Sequence, residues 1–255
     1  MYELDEIKKR SLASIIFYLI IYLIIGSVLT LLLIKIYSND TYDYETILKA
    51  LSAVSGDEKL DLIAAKINTF SMVLIYLPLS LILITVMHKD FKEDYIKSKE
   101  RRLFTVLFIV LGGLAFWGFS MLLSYSAGRL TGENSENEEV LESVFKYKKY
   151  GVMMLLVTSI CGPIVEEVVY RKSIFNLLSE KPRWVPILVS TVFFALPHII
   201  TTTGVSVGNF IIISIPYFAA GAMLAFAYEY SGRNIYVTMG LHFINNFLVC
   251  LLLLV

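Results

Sequence analysis

Charge is what this 255-residue chain has least of: 17% of its residues are Asp, Glu, Lys or Arg, while 57% are hydrophobic. An average soluble domain is nearer 25% charged, so an ordinary soluble enzyme is excluded. No surplus of one sign exists either, since 22 Lys and Arg balance 22 Asp and Glu. That balance gives no electrostatic case for nucleic acid or another polyanionic partner. Cysteine is nearly absent: Cys161 and Cys250 both lie inside apolar stretches, and they report no redox compartment. Pro-rich or Gly-rich linkers and internal repeats are also missing, so nothing marks off a second soluble unit.

What the chain does have is apolar residues in long unbroken blocks, with a mean hydropathy of +0.70. A helix needs about 20 apolar residues to cross a bilayer. Residues 11–34, 67–87 and 103–128 supply 24, 21 and 26 without a charge. Residues 150–170 supply 21, carrying Glu166 and Glu167 near their end. The stretch 184–228 has 45 residues and no Asp, Glu, Lys or Arg, which suits two helices broken in the Thr, Ser and Gly cluster at 201–208. Residues 234–255 make the last block. The expected fold is therefore all-α, a polytopic transmembrane helix bundle of about seven spans, bounded by six and eight. The first block is longer than the 7–15 residues of a signal h-region and lacks its cleavage site, so it reads as a retained anchor.

Counting Lys and Arg in the loops puts 14 on the N-terminal side of the membrane and 8 on the other. By the positive-inside rule the N-terminus is cytoplasmic. Residues 44–54 read as an amphipathic surface helix, and 128–149, with the polar run 131–139, as a mobile loop. The segment 172–184 is expected at the membrane interface, with Trp184 as an anchor. The chain also divides by content. Residues 1–149 form a three-span region with two outer loops. Residues 150–255 form a four-span core that holds every ionisable group within a span.

Such groups cost about 2.5–3.5 kcal/mol each at membrane depth on insertion scales, so they mark function by default. Glu167 and Arg171 stand four apart and share a helix face, while Glu166 is rotated about 100° away and stays unpaired. Pro163 is expected to kink that helix a turn earlier. Phe194 and His198 stand four apart in the fifth span, and His242 and Asn246 four apart in the last. Taken singly, each set is explained by a span boundary or by hydrogen bonds between helices. Together, one free carboxylate, two histidines and an amide on three helices suffice for hydrolysis. A carboxylate serves as general base toward water, and imidazole and amide N–H groups stabilise an oxyanion. Helical rise leaves a mismatch in depth: Glu166 sits roughly 8 Å from its expected helix end and His198 roughly 20 Å from Trp184.

The series Glu166-Glu167-x-x-x-Arg171, Phe194-x-x-x-His198 and His242-x-x-x-Asn246 resembles the CPBP family of intramembrane proteases, which includes CAAX proteases and the bacteriocin-processing Abi proteins. The resemblance covers about residues 150–250. It implies an intramembrane endopeptidase resembling CAAX prenyl endopeptidases, acting on a membrane-associated peptide or protein that need not be prenylated. It further implies that Glu166 activates water, His198 orients that water, and His242 and Asn246 stabilise the oxyanion. Glu167, Arg171 and Phe194 would support them. A Glu and two His are also a conceivable Zn²⁺ set, but there is no His-Glu-x-x-His spacing, and the resemblance favours a metal-independent glutamate. No cofactor and no metal are expected, with Zn²⁺ the minority alternative. The expected partners are the lipid bilayer, the substrate and conceivably a membrane partner protein, with no nucleic acid. The expected setting is a bacterial cell membrane. Three competing readings are a non-catalytic scaffold or bacteriocin-immunity protein, a proton-relaying transporter, and a cysteine protease using Cys161.

Overall fold

In the computed structural model of the chain, residues 2–52, 54–133, 135–202 and 204–255 are described. Ten helices run through them, with no strand among the described residues: α1 (Leu4–Tyr37), α2 (Tyr44–Ala50), α3 (Glu58–Val86), α4 (His88–Glu100), α5 (Arg102–Thr131), α6 (Glu136–Phe145), α7 (Lys148–Leu177), α8 (Trp184–Ile199), α9 (Val207–Tyr230) and α10 (Ile235–Leu254). Six of these (α1, α3, α5, α7, α9 and α10) are long and apolar enough to cross a membrane, and α8 is a shorter apolar helix. The chain is an integral membrane protein with an all-α bundle of about seven spans. Lipid-facing positions stay exposed, such as Ile24, Leu111, Leu122 and Ile211. The core gathers Leu79, Leu83, Val165, Val168, Phe175, Leu224 and Tyr228 around α7.

Polar residues start and stop these helices. Asp57 accepts the Lys59 and Leu60 N–H groups at the head of α3, and Asn234 accepts that of Tyr236 at the head of α10. Gly132, at φ +73°, closes α5 in the left-handed conformation that glycine adopts without strain. The break expected at 201–208 falls where α8 ends and α9 begins; Thr203 lies outside the described residues.

Three expectations need correction. The surface helix expected over 44–54 stops at Ala50, and Ala53 lies outside the described residues. The stretch expected to be a mobile loop holds α6, opened by a reciprocal capping box between Ser135 and Glu138; of its polar run, Asn134 lies outside the described residues. The fourth span does not end at Tyr170. It runs on to Leu177 and buries Arg171 and Lys172. Glu166 is thus eleven residues, roughly 16 Å, from the helix end, which removes most of the depth mismatch with His198.

The basic stretch after α3 explains how Lys172 is buried. Asp90 and Asp94 stand four apart on the inward face of α4 while its lysines face outward. Asp90 pairs with Arg10 at 2.9 Å. Asp94, fully buried, takes Lys172 Nζ at 2.6 Å and the backbone N–H of Ile235 at 3.1 Å. One carboxylate from a loop helix therefore braces α7 against the first turn of α10. Asp94→Ala leaves the Lys172 ammonium buried and unpaired, and the expected loss is about 3 kcal/mol or more of stability. Thermal unfolding in detergent, with Glu93→Ala on the exposed face of the same helix as control, measures it.

Candidate active site

The site is built on α7, and α7 is not a regular helix. Two π-type stretches, Val157–Cys161 and Glu167–Ser173, flank the short α-helical run Gly162–Glu166. Proline is the local cause of the first. The Gly162 N–H reaches back five residues to the Val157 carbonyl, so the Thr158 carbonyl loses its ordinary partner. The residue that would take it in the wider register is Pro163, which has no N–H. The freed carbonyl accepts from Asn246 Nδ2 on α10 at 3.0 Å. The kink expected from Pro163 is thus a widened turn whose spare acceptor ties α7 to α10. Asn246 keeps a second N–H for other work, and its Oδ1 accepts from Asn245 at 3.1 Å. Asn246→Ala strands that carbonyl, at an expected cost of about 1–3 kcal/mol; chemical or thermal unfolding of the variant checks it.

Glu167 and Arg171 pair as the spacing predicts, Arg171 Nε lying 3.2 Å from Glu167 Oε2 with both side chains fully buried. The sequence reading missed what else Glu167 does. Its Oε1 lies 2.9 Å from His242 Nδ1, so one carboxylate anchors a guanidinium and an imidazole together. That contact turns the other nitrogen of His242, Nε2, toward Glu166 Oε2 at 3.8 Å. Glu166 does not face away from this arrangement, as its 100° offset suggested. The two carboxylates address different nitrogens of the same ring, Glu167 at Nδ1 and Glu166 near Nε2.

Glu166 is 8% exposed, and its Oε2 has no hydrogen-bond partner. His198 Nε2 lies 3.9 Å from it. Separations of 3.8 and 3.9 Å are too long for direct hydrogen bonds and short enough for one water to touch both groups. The carboxylate thus faces two imidazole nitrogens without a direct hydrogen bond to either.

Phe194 is the hub of the cluster. Its ring lies 4.3 Å from the Arg171 guanidinium, a cation–π contact away from bulk water. It also meets Tyr170 at 5.9 Å, His198 at 5.2 Å and His242 at 5.7 Å between ring centroids. Gly221 makes this packing possible: a Cβ there would stand 3.0 Å from the Thr191 carbonyl and 3.1 Å from Phe194. The close approach of α9 also brings the Gly221 carbonyl within 3.4 Å of Arg171 Nη2. Six of the seven residues singled out by the sequence therefore meet in one cluster, with Gly221 packed against it; Asn246, one turn beyond His242 on α10, is held to the Thr158 carbonyl instead. Asp94, one of two acids four apart in a run of lysines, braces α7 from outside the cluster.

Among the described residues no group of three His, Cys, Asp or Glu side chains is arranged to hold a metal ion. An apolar groove of about 880 Å³ lies between α8 and α9, lined by Leu196, Ile199, Ile200, Phe210, Ile215 and Phe218. None of the seven motif residues lines it.

Residues 148–248 match the family described as "Type II CAAX prenyl endopeptidase Rce1-like". A protein of Bacillus subtilis named "Putative membrane peptidase YdiL" is 38% identical over 68 residues, 26% of this chain and 27% of that protein. An uncharacterized protein of Mycoplasma capricolum is 30% identical over 155 residues, 58% of this chain and 41% of that protein. The chain thus spans well under half the length of either relative. No solved structure matches it. The matched family segment holds α7, α8 and α9 entire, α10 as far as Leu248, and every residue of the cluster. It is this segment, and not the first three spans, that is similar to the Rce1-like family.

Proposed function

We propose that the chain is an intramembrane endopeptidase in which Glu166 activates a water molecule against a peptide bond. The observation that carries this reading is the buried Glu166 Oε2, free of hydrogen bonds and faced at 3.8 and 3.9 Å by the Nε2 atoms of His242 and His198. Glu166 takes a proton from the water as its oxygen bonds to the scissile carbonyl carbon. His198 holds and orients that water. The resulting oxyanion is met by His242 and by the second N–H of Asn246. The C–N bond then breaks, and the proton passes from Glu166 to the leaving amine.

Charge balance favours this assignment. With Nδ1–H donated to Glu167, His242 can donate from Nε2 only as an imidazolium. The buried set then has two positive groups, Arg171 and His242, against two carboxylates. When Glu166 is protonated its negative charge reappears on the oxyanion, so the low-dielectric site stays neutral throughout, as burial demands. Glu167, Arg171 and Phe194 keep the other groups in place without touching the reacting atoms. The mechanism needs neither metal nor cofactor. Residues 150–255 do the chemistry, and residues 1–149 enclose and brace them.

The substrate class is a membrane-associated peptide or protein in a bacterial cell membrane. The bias of basic residues near the span ends, 12 against 8 once the buried Arg171 and Lys172 are set aside, supports a cytoplasmic N-terminus. The test compares small membrane peptides and new C-terminal fragments from cells carrying wild type or Glu166→Gln at matched expression, by mass spectrometry. A fragment made only by wild type is expected. Identical profiles, with the variant still functional, would instead indicate a non-catalytic scaffold or immunity protein.

A further inference from the structure

The two histidines are held very differently. His242 is fixed by the hydrogen bond from Nδ1 to Glu167. Among the described residues no hydrogen bond reaches either ring nitrogen of His198, which sits in the last turn of the short helix α8 with its side chain 24% exposed. Packing alone orients its ring. Phe194, on its own helix, is tilted 51° to it. Tyr217, on α9, lies flat against it at 5.2 Å with 9° between the planes. The Tyr217 hydroxyl is in turn 2.6 Å from Ser135 Oγ, the buried residue whose capping box opens α6. One further side-chain contact, Asn209 Nδ2 to Glu133 Oε2 at 3.1 Å, ties the same connection to α9.

We propose that Tyr217 is a positioning residue that sets the ring plane of His198, and that the loop helix α6 holds Tyr217 in place through Ser135. This rests on the reading of His198 as the residue that orients the water. A ring clamped face to face keeps Nε2 aimed at Glu166, whereas an unclamped imidazole turns about its own side-chain torsions. Misplacing a group by about 1 Å can cost about 10²-fold in rate. The geometry of the site thus depends on a helix that the family match does not cover.

The chain has only three histidines, so ring-labelled histidine NMR of the full-length protein in lipid nanodiscs can assign each one; the His198 signals are those lost in His198→Gln. Tyr217→Leu is expected to move the His198 ring protons downfield, as the ring current of the stacked tyrosine is lost. The His242 signals should stay in place. In cleavage, kcat should fall by about 10²-fold with little change in KM. Tyr217→Phe is nearly isosteric and keeps the stack, so it tests the link to α6 without a folding risk. Combined with Ser135→Ala, it is expected to add nothing to the effect of Ser135→Ala alone, because both changes remove one bond. His198 signals unmoved in Tyr217→Leu overturn the positioning role, and additive effects in the double variant overturn the link through Ser135. The NMR outcome stands even where no variant, nor wild type, cleaves a peptide. That pattern would refute the peptidase reading and not the clamp.

Discussion

Glu166→Gln is expected to lower peptide cleavage by about 10²–10⁴-fold, the range that general acid–base catalysis supplies, while protein level and unfolding temperature hold. The reason is geometric. Glu166 Oε2 has no hydrogen-bond partner to lose, and an amide has the shape of the carboxylate. A substitution that keeps shape and hydrogen-bonding capacity but removes basicity separates chemistry from packing. His198→Ala and His242→Ala are less clean, since one ring packs against Phe194 and Tyr217 and the other anchors Glu167. Steady-state cleavage by purified protein, beside thermal unfolding of the same preparation, measures the effect. Activity lost in proportion to folded protein would refute the catalytic assignment.

Arg171→Met is expected to destabilise the protein by about 3–5 kcal/mol, because it leaves Glu167 charged and buried without its cation. The guanidinium also stacks on Phe194, so its loss reaches the aromatic hub and both histidines. The double variant Glu167→Gln with Arg171→Met should recover most of that stability, since removing both members of a buried pair is often neutral. It should not recover cleavage, because His242 then lacks the carboxylate that supports its imidazolium. Thermal unfolding and cleavage of the two variants, side by side, give four numbers that must fit this pattern. Equal stability of the single and double variants would contradict it.

The bundle was legible in the sequence because membrane spans are written in composition, and six of its helices need nothing finer than length and hydropathy. The three motif pairs were legible because helix geometry puts residues four apart on one face. What stayed hidden depends on contacts between elements. Asp94 sits in a run of lysines, and a sequence does not say that α4 turns its acids inward. The widened turns of α7 have a visible cause in Pro163, but their consequence, a spare carbonyl at Thr158, appears only when Asn246 is seen to take it. Glu166 and Glu167 leave α7 about 100° apart, yet both reach His242, and where a ring from another helix comes to lie is not written in the spacing. Tyr217 carried no signal at all: an aromatic residue in a span is ordinary until its ring is found lying on that of His198.

The most direct test is cleavage in H₂¹⁸O by the purified protein in nanodiscs, using the membrane peptide that only wild-type cells process and with a strong metal chelator present. The account predicts that wild type releases a fragment carrying one ¹⁸O in its new C-terminal carboxylate, and that Glu166→Gln releases none. Cleavage retained by Glu166→Gln, or abolished for wild type by the chelator, would contradict it.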